Sequence, residues 1–160
     1  MMNINIICVG KLKEDYLRSA CAEYQKRLGA FCKLKITELP PSRLPENPNA
    51  AQITAALEEE SKQILSKISQ SEAVFAMCIE GKTLSSEKFS AEIEKFALNG
   101  FGSICFVVGG SHGLDPAVKS RANFRLSMSP MTFPHQLARV MLLEQIYRAF
   151  MISSGGKYHK

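Results

Sequence analysis

Three stretches of the chain carry residue types that could do chemistry at the spacing they have. In Phe106-Val107-Val108-Gly109-Gly110-Ser111-His112-Gly113, an apolar run meets a glycine-rich turn. Open α/β sheets bind ligands at such strand ends, where glycine lets the backbone come close to the ligand. The spacing is not GxGxxG and the turn lies late in the chain, which argues against an ordinary dinucleotide site. Taken alone, the segment is equally a plain tight turn. In Ser127-Met128-Ser129-Pro130-Met131-Thr132-Phe133-Pro134-His135-Gln136, two prolines stiffen a path from a strand end into the closing helix. It offers free backbone donors, or it is a rigid connection in which Thr132 or a neighbour caps the helix. The tail, Gly155-Gly156-Lys157-Tyr158-His159-Lys160, is basic and aromatic, suited to stacking and phosphate contact, or is simply a solvated end. Gly81-Lys82-Thr83 has the close of a phosphate-binding loop, but that motif needs glycine where Ala76 stands, so the reading fails.

Histidine is the natural proton acceptor near neutral pH, with a reference pKa of about 6.5, and His135 and His159 lie in two of these stretches. Arg139 falls one turn after His135 on the same helical face, where it could hold a phosphate or charge developing on a carbonyl; as a surface charge it needs no role. Glu144 and Arg148 are spaced i to i+4 in the order that favours an ion pair. The five cysteines are odd in number and lack CxxC spacing, and three lie in apolar strand-like runs. They are expected to be reduced, buried thiols, with no metal site.

The elements that must position these residues follow from periodicity. The pattern predicts strands over 3–9, 34–39, 73–79, 103–108 and 124–128, and helices over 14–28, 51–68, 87–99 and 116–121, with a closing helix over 134–153. Gly29 and Gly100 read as helix stops, and Ser86 as a cap. Pro40 to Asn49 holds four of the seven prolines and reads as an extended loop. Strands that are apolar on both faces, alternating with helices, indicate an α/β fold with a mostly parallel sheet covered on two sides. At 160 residues and 46% hydrophobic content, one domain spanning 1–160 can bury its own core. The net charge of +5 leans toward anionic partners. No apolar run approaches the ~20 residues of a membrane span, so the protein is expected in the cytoplasm, off the membrane.

The closing helix carries Leu137, Val140, Met141, Leu142, Leu143, Ile146, Tyr147, Phe150, Met151 and Ile152, which leave it almost no polar face. One sheet covers one side of it, and a second copy of the chain is the economical cover for the other. A homodimer is expected.

The Gly-Gly turn, the Met-Thr-Phe-Pro-His-Gln segment, the Arg-Val and Glu-Gln-Ile-Tyr-Arg-Ala-Phe helix and the Tyr-His-Lys end stand in one order. With the opening Val9-Gly10-Lys11-Leu12-Lys13, Glu23-Tyr24 and Arg27-Leu28, they resemble, over the whole chain, a family of large-subunit ribosomal RNA methyltransferases in the SPOUT superfamily. The resemblance implies a parallel sheet whose C-terminal part is threaded into a deep trefoil knot, which no pattern reading would suggest. It also implies a tight homodimer and binding of S-adenosylmethionine by Met77, Gly109, Met128, Ser129, Pro130, Met131, Thr132 and Phe133. Met77 stands where the family commonly has leucine and keeps an apolar wall.

The activity the resemblance implies is methylation at N3 of a pseudouridine in 23S ribosomal RNA of the assembled ribosome. His135, Arg139, Tyr158 and His159 are the candidate catalytic residues, the tail ones reaching into the partner subunit's pocket. His112 receives no role. Two rival readings remain at this level. One is a noncatalytic ribosome-associated RNA-binding protein, which would bind RNA but no methyl donor; the other is a flavodoxin-like module whose turn cradles an anion.

Overall fold

The computed structural model describes residues 1–160 and contains one five-stranded sheet between two helical layers. In chain order the elements are β1 (Met2–Val9), α1 (Asp15–Leu28), β2 (Cys32–Leu39), α2 (Ala50–Ser66) and β3 (Ala73–Thr83). There follow α3 (Ser86–Leu98), β4 (Ser103–Val108), α4 (Pro116–Arg121), β5 (Phe124–Ser127) and α5 (His135–Ser153). The strand order is β2-β1-β4-β3-β5, and every pairing is parallel.

Side chains alternate across the sheet, as the strand pleat requires. Ile4, Ile6, Phe75, Ile104 and Phe106 point to the layer of α1, α3 and α5, where they meet Cys21, Leu28, Phe89, Ile93, Leu142 and Ile146. Ile7, Val9, Val74, Ala76 and Val107 point the other way, toward Ile64 of α2 and Val118 of α4. Registry puts Phe106, Phe75 and Phe124 side by side on three adjacent strands, with the first two rings stacked at 4.8 Å. Burial on both faces explains the unbroken apolar runs of β3 and β4.

Local chemistry ends the elements, with some departures from the sequence reading. Asp115 caps α4 through the Ala117 N–H, and Pro116 follows at the first turn, as read. Ser85, not Ser86, caps α3 by accepting from Lys88 N–H; the Ser86 hydroxyl instead donates to Gln145 of α5. Gly100 has φ +93 and stops α3, whereas Gly29 keeps a right-handed conformation, so α1 ends without a left-handed cap. No side chain caps α5, neither Thr132 nor a neighbour; Pro134 leads directly into it. β3 runs four residues past the expected Ile79, because Met77 and Lys82 both register with Leu126 and residues 78–81 loop out between them. At Gly81 a Cβ would lie 2.8 Å from the Arg125 backbone, so only glycine fits that crossing.

Helix α5 lies between α1 and α3. Its inner face, Leu142, Leu143, Ile146 and Ala149, is buried. The outer face is covered only in part: Leu137 is 40% exposed, and Met141 and Ile152 are half-buried.

Candidate active site

The carboxyl ends of β3, β4 and β5 open into one cavity of about 720 Å³, inside the range for small-molecule sites. The turn after β4 forms one wall. Gly110 and Gly113 bridge antiparallel, Gly113 N–H donates to Gly110 O at 3.1 Å, and Gly113 has φ +81. A Cβ on Gly109 would lie 2.4 Å from Gly113 O, so the hairpin closes only around glycine. The facing wall is the segment after β5. Ser127 Oγ donates to Ser129 O at 3.0 Å, and Met131 N–H donates to Ser129 Oγ at 3.0 Å, two local bonds that hold the loop open beside Phe133. Leu126, Met128 and Leu142 make the inner side apolar.

Seven of the eight residues expected to hold a methyl donor line this cavity: Met77, Gly109, Met128, Ser129, Met131, Thr132 and Phe133. Pro130 is exposed and does not line it; its ring shapes the loop from outside. His112 reaches the wall, although sequence reasoning gave it no place. Glu80 and Lys119 close the outer rim as an ion pair.

His135 stands at the mouth, on the first turn of α5, with no hydrogen-bond partner of its own. Its Nε2 is 3.9 Å from where a Cβ on Gly10 would stand, so the ring sits against the end of β1. Burial first, then the charges of Arg139 and Lys13, push its pKa below the ordinary histidine value. The shift favours the neutral ring, the form a proton acceptor needs.

Arg139 is neither a surface charge nor a free anion grip. It is 3% exposed; Nη1 donates to Glu38 Oε2 at 2.6 Å and Nη2 to Gly10 O at 3.0 Å, while the buried Nε has no partner. Gln136 Oε1 also accepts from Lys13 N–H at 2.8 Å. The first turn of α5 is thus stapled to the end of β1, to the loop after it and to β2, and that staple places His135. Gly10 and Gln136 were visible in the sequence only inside motif strings. Glu38 carried no signal at all, because a charge on an edge strand reads as a solvated face.

The tail folds back along α5, away from this cavity. Tyr158 Oη donates to Glu144 Oε1 at 3.0 Å, Arg148 lies over the Tyr158 ring at 4.6 Å, and His159 lies between Glu87 at 2.6 Å and Arg148 at 3.2 Å. Glu144 is nine residues beyond His135, about 13 Å along the helix. Tyr158 and His159, expected as catalytic residues, are accordingly not brought to this cavity. The Glu144–Arg148 pair expected from spacing is present at 2.6 Å. An apolar groove of about 410 Å³ runs between the two places, shares Leu126, Met128 and Leu142 with the main cavity, and reaches Met141 and Glu144.

The five cysteines are free, and burial raises Cys8 and Cys105 to about 12, so they are not nucleophiles. No group of three or more His, Cys, Asp or Glu residues is placed to hold a metal. No helix is long and apolar enough to cross a membrane.

A parallel sheet with a glycine-walled, partly apolar cavity at its carboxyl edge is the architecture of a small-ligand α/β protein. The chain belongs to the SPOUT methyltransferase family: residues 2–159 match the family described as "Predicted SPOUT methyltransferase". It is 52% identical over 159 residues to "Ribosomal RNA large subunit methyltransferase H" of Ligilactobacillus salivarius, covering 99% of this chain and all of that one. The protein so named in Clostridium acetobutylicum is 53% identical over the same span. Among solved structures, a probable methyltransferase from Bordetella pertussis Tohama I shares the fold at TM-score 0.56 and 15% identity, covering 93% of this chain and 95% of that one. The chain is a methyltransferase, and its family implies a methyl donor.

Proposed function

We propose that this protein transfers a methyl group from S-adenosylmethionine to N3 of a pseudouridine in 23S ribosomal RNA of the assembled ribosome, in the cytoplasm, without a metal and as a homodimer. The observation that carries the reading is identity above half, over the full length, to relatives named for large-subunit ribosomal RNA. The cavity fits the donor. Met77, Leu126, Met128 and Phe133 supply an apolar wall for a purine, and the backbone of the Gly109 turn lines the facing side.

When bound, the donor supplies an electrophilic methyl on sulfonium, and the C–S bonding pair leaves with sulfur as a thioether. His135 accepts the N3 proton while the nitrogen lone pair forms the new N–C bond. Its neutral ring and lack of any other partner suit it better than His159, which is held between Glu87 and Arg148. Arg139 acts through position and field: it holds Gly10, and its charge adds to burial in lowering the His135 pKa. As the proton reaches His135 and the N–C bond forms, the positive charge passes to the imidazolium, so the net charge of the site is unchanged.

The partly bare face of α5, with Leu137, Met141 and Ile152, supports the dimer. In it, the partner's tail supplies what the subunit's own Tyr158 and His159 do not reach, the tyrosine stacking on or bonding to the base. A C-terminal part threaded into a trefoil knot is the topology we infer for this chain from its family.

The test is transfer of radiolabelled methyl from S-adenosylmethionine to ribosomes lacking the modification, with free subunits and naked 23S RNA in parallel. Label on one pseudouridine of assembled ribosomes is expected. Donor binding without label on any of them refutes the substrate.

A further inference from the structure

Next to the donor cavity lies a second one of about 600 Å³, at the carboxyl ends of β1 and β2. Gly110, Ser111, His112 and His135 belong to the walls of both. Two ligands, one in each cavity, would therefore meet at His135. The second cavity uses none of the donor-binding residues on β3 or after β5.

Its chemistry is layered. Val9, Leu39, Ile53 and Leu57 give it apolar sides, and Pro40 and Pro41 stiffen the rim. Glu60 Oε2 accepts from Ser42 N–H at 2.9 Å, which pins the proline-rich segment over the cavity and leaves Oε1 with no partner. Lys11 and Lys13 stand at the opening, exposed and in no ion pair. Glu38, the other carboxylate on the wall, is neutralised by Arg139.

Apolar sides take a flat ring, a free carboxylate oxygen accepts from a ring N–H, and two unpaired lysines outside take phosphate. A free purine nucleotide would fit the volume as well, but an enzyme that modifies a base within RNA must lift that base out of its stack into a pocket beside the reactive groups. Resting on the function proposed above, we infer that this cavity receives a single unstacked pyrimidine nucleotide of the RNA, its ring between Leu57 and the proline rim and its phosphate at Lys11 and Lys13. The base then presents its imide edge to His135 across the seam with the donor cavity. The proline-rich segment over 40–49, otherwise without a function, is the outer wall of this nucleotide pocket.

The experiment uses the full chain and two readouts. Uridine 5′-monophosphate is titrated into isotopically labelled protein with S-adenosylhomocysteine present, and amide shifts are expected at Lys11, Ser42, Ile53 and His112, with adenosine 5′-monophosphate shifting them less. In Ser42→Trp, which fills the cavity while keeping the backbone bond to Glu60, kcat/KM for RNA methylation is expected to fall about 100-fold, the scale of a misplaced reactant. Donor affinity should stay within about twofold, and Lys11→Gln should weaken RNA binding without changing donor affinity. Wild-type-like turnover by Ser42→Trp, an equal loss of donor affinity, or uridine shifts confined to other surfaces overturns the pocket. Absence of transfer by the unmodified protein would instead overturn the proposed function, so the two failures are distinct.

Discussion

Replacing Glu38 with alanine removes the only carboxylate facing a guanidinium that is 3% exposed. The cation left behind has one strong acceptor, Gly10 O, and a buried Nε already without a partner. Breaking a buried pair from this side costs about 3–5 kcal/mol, because the remaining charge stays desolvated. The reverse change, Arg139→Met, is milder. Glu38 is 36% exposed and rehydrates, the orphaned Nε disappears, and methionine fills much of the volume, so about 1–2 kcal/mol is expected. For a chain of this length about 2–4 °C in Tm accompanies each kcal/mol. Glu38→Ala should therefore lower Tm by about 6–20 °C and Arg139→Met by about 2–8 °C, read by calorimetry and checked by urea titration. The double variant should resemble Arg139→Met alone, because the alanine has no cation left to strand. Equal costs, or a larger one for Arg139→Met, would refute the view that burial of the cation governs this staple.

The pH profile should have an acid limb for kcat/KM lying below about 6.5, since burial, Arg139 and Lys13 hold His135 below that value. The charged and titratable groups around it are Lys11 and Lys13 after β1, Glu38 on β2, His112 in the hairpin and Arg139 on its own helix; in Arg139→Met the limb should move up toward 6.5. By linkage, a histidine whose folded pKa is depressed favours the fold above its unfolded value, so the stability it contributes declines as pH falls below about 6.5. His135→Ala should cut kcat by about 10² to 10⁴ with donor affinity kept, as measured by titration calorimetry. Gly109→Ala should abolish donor binding or the fold itself, because the new methyl meets backbone at 2.4 Å; a variant that binds S-adenosylmethionine normally would contradict the hairpin geometry. Deleting 158–160 should abolish methylation while donor binding and the dimer, followed by light scattering, persist; full turnover would remove the tail from the mechanism.

Sequence by itself determined the element order and the layering. Apolar runs over 73–79 and 103–108 could only be strands buried on both faces, and Asp115-Pro116 marked α4 to the residue. These signals are local, arising from periodicity and capping, and survive without knowledge of neighbours. The two loops that wall the cavity at the ends of β3, β4 and β5 were legible too, one by glycine and one by proline, although whether either was a site was not.

Tertiary structure decided what those residues do. Arg139 read as a surface charge or an anion grip because a helical position shows its face and not what packs there. Only the approach of β2 and the loop after β1, from 101 and 129 residues away in sequence, turns it into a buried staple. The same long-range packing puts His135 on the seam of two cavities, leaves Tyr158 on Glu144 away from both, and closes the proline-rich segment over α2 through Glu60. Each of these depends on pairs far apart in the chain, whose meeting is set by sheet order and loop closure, and no window of residues encodes it.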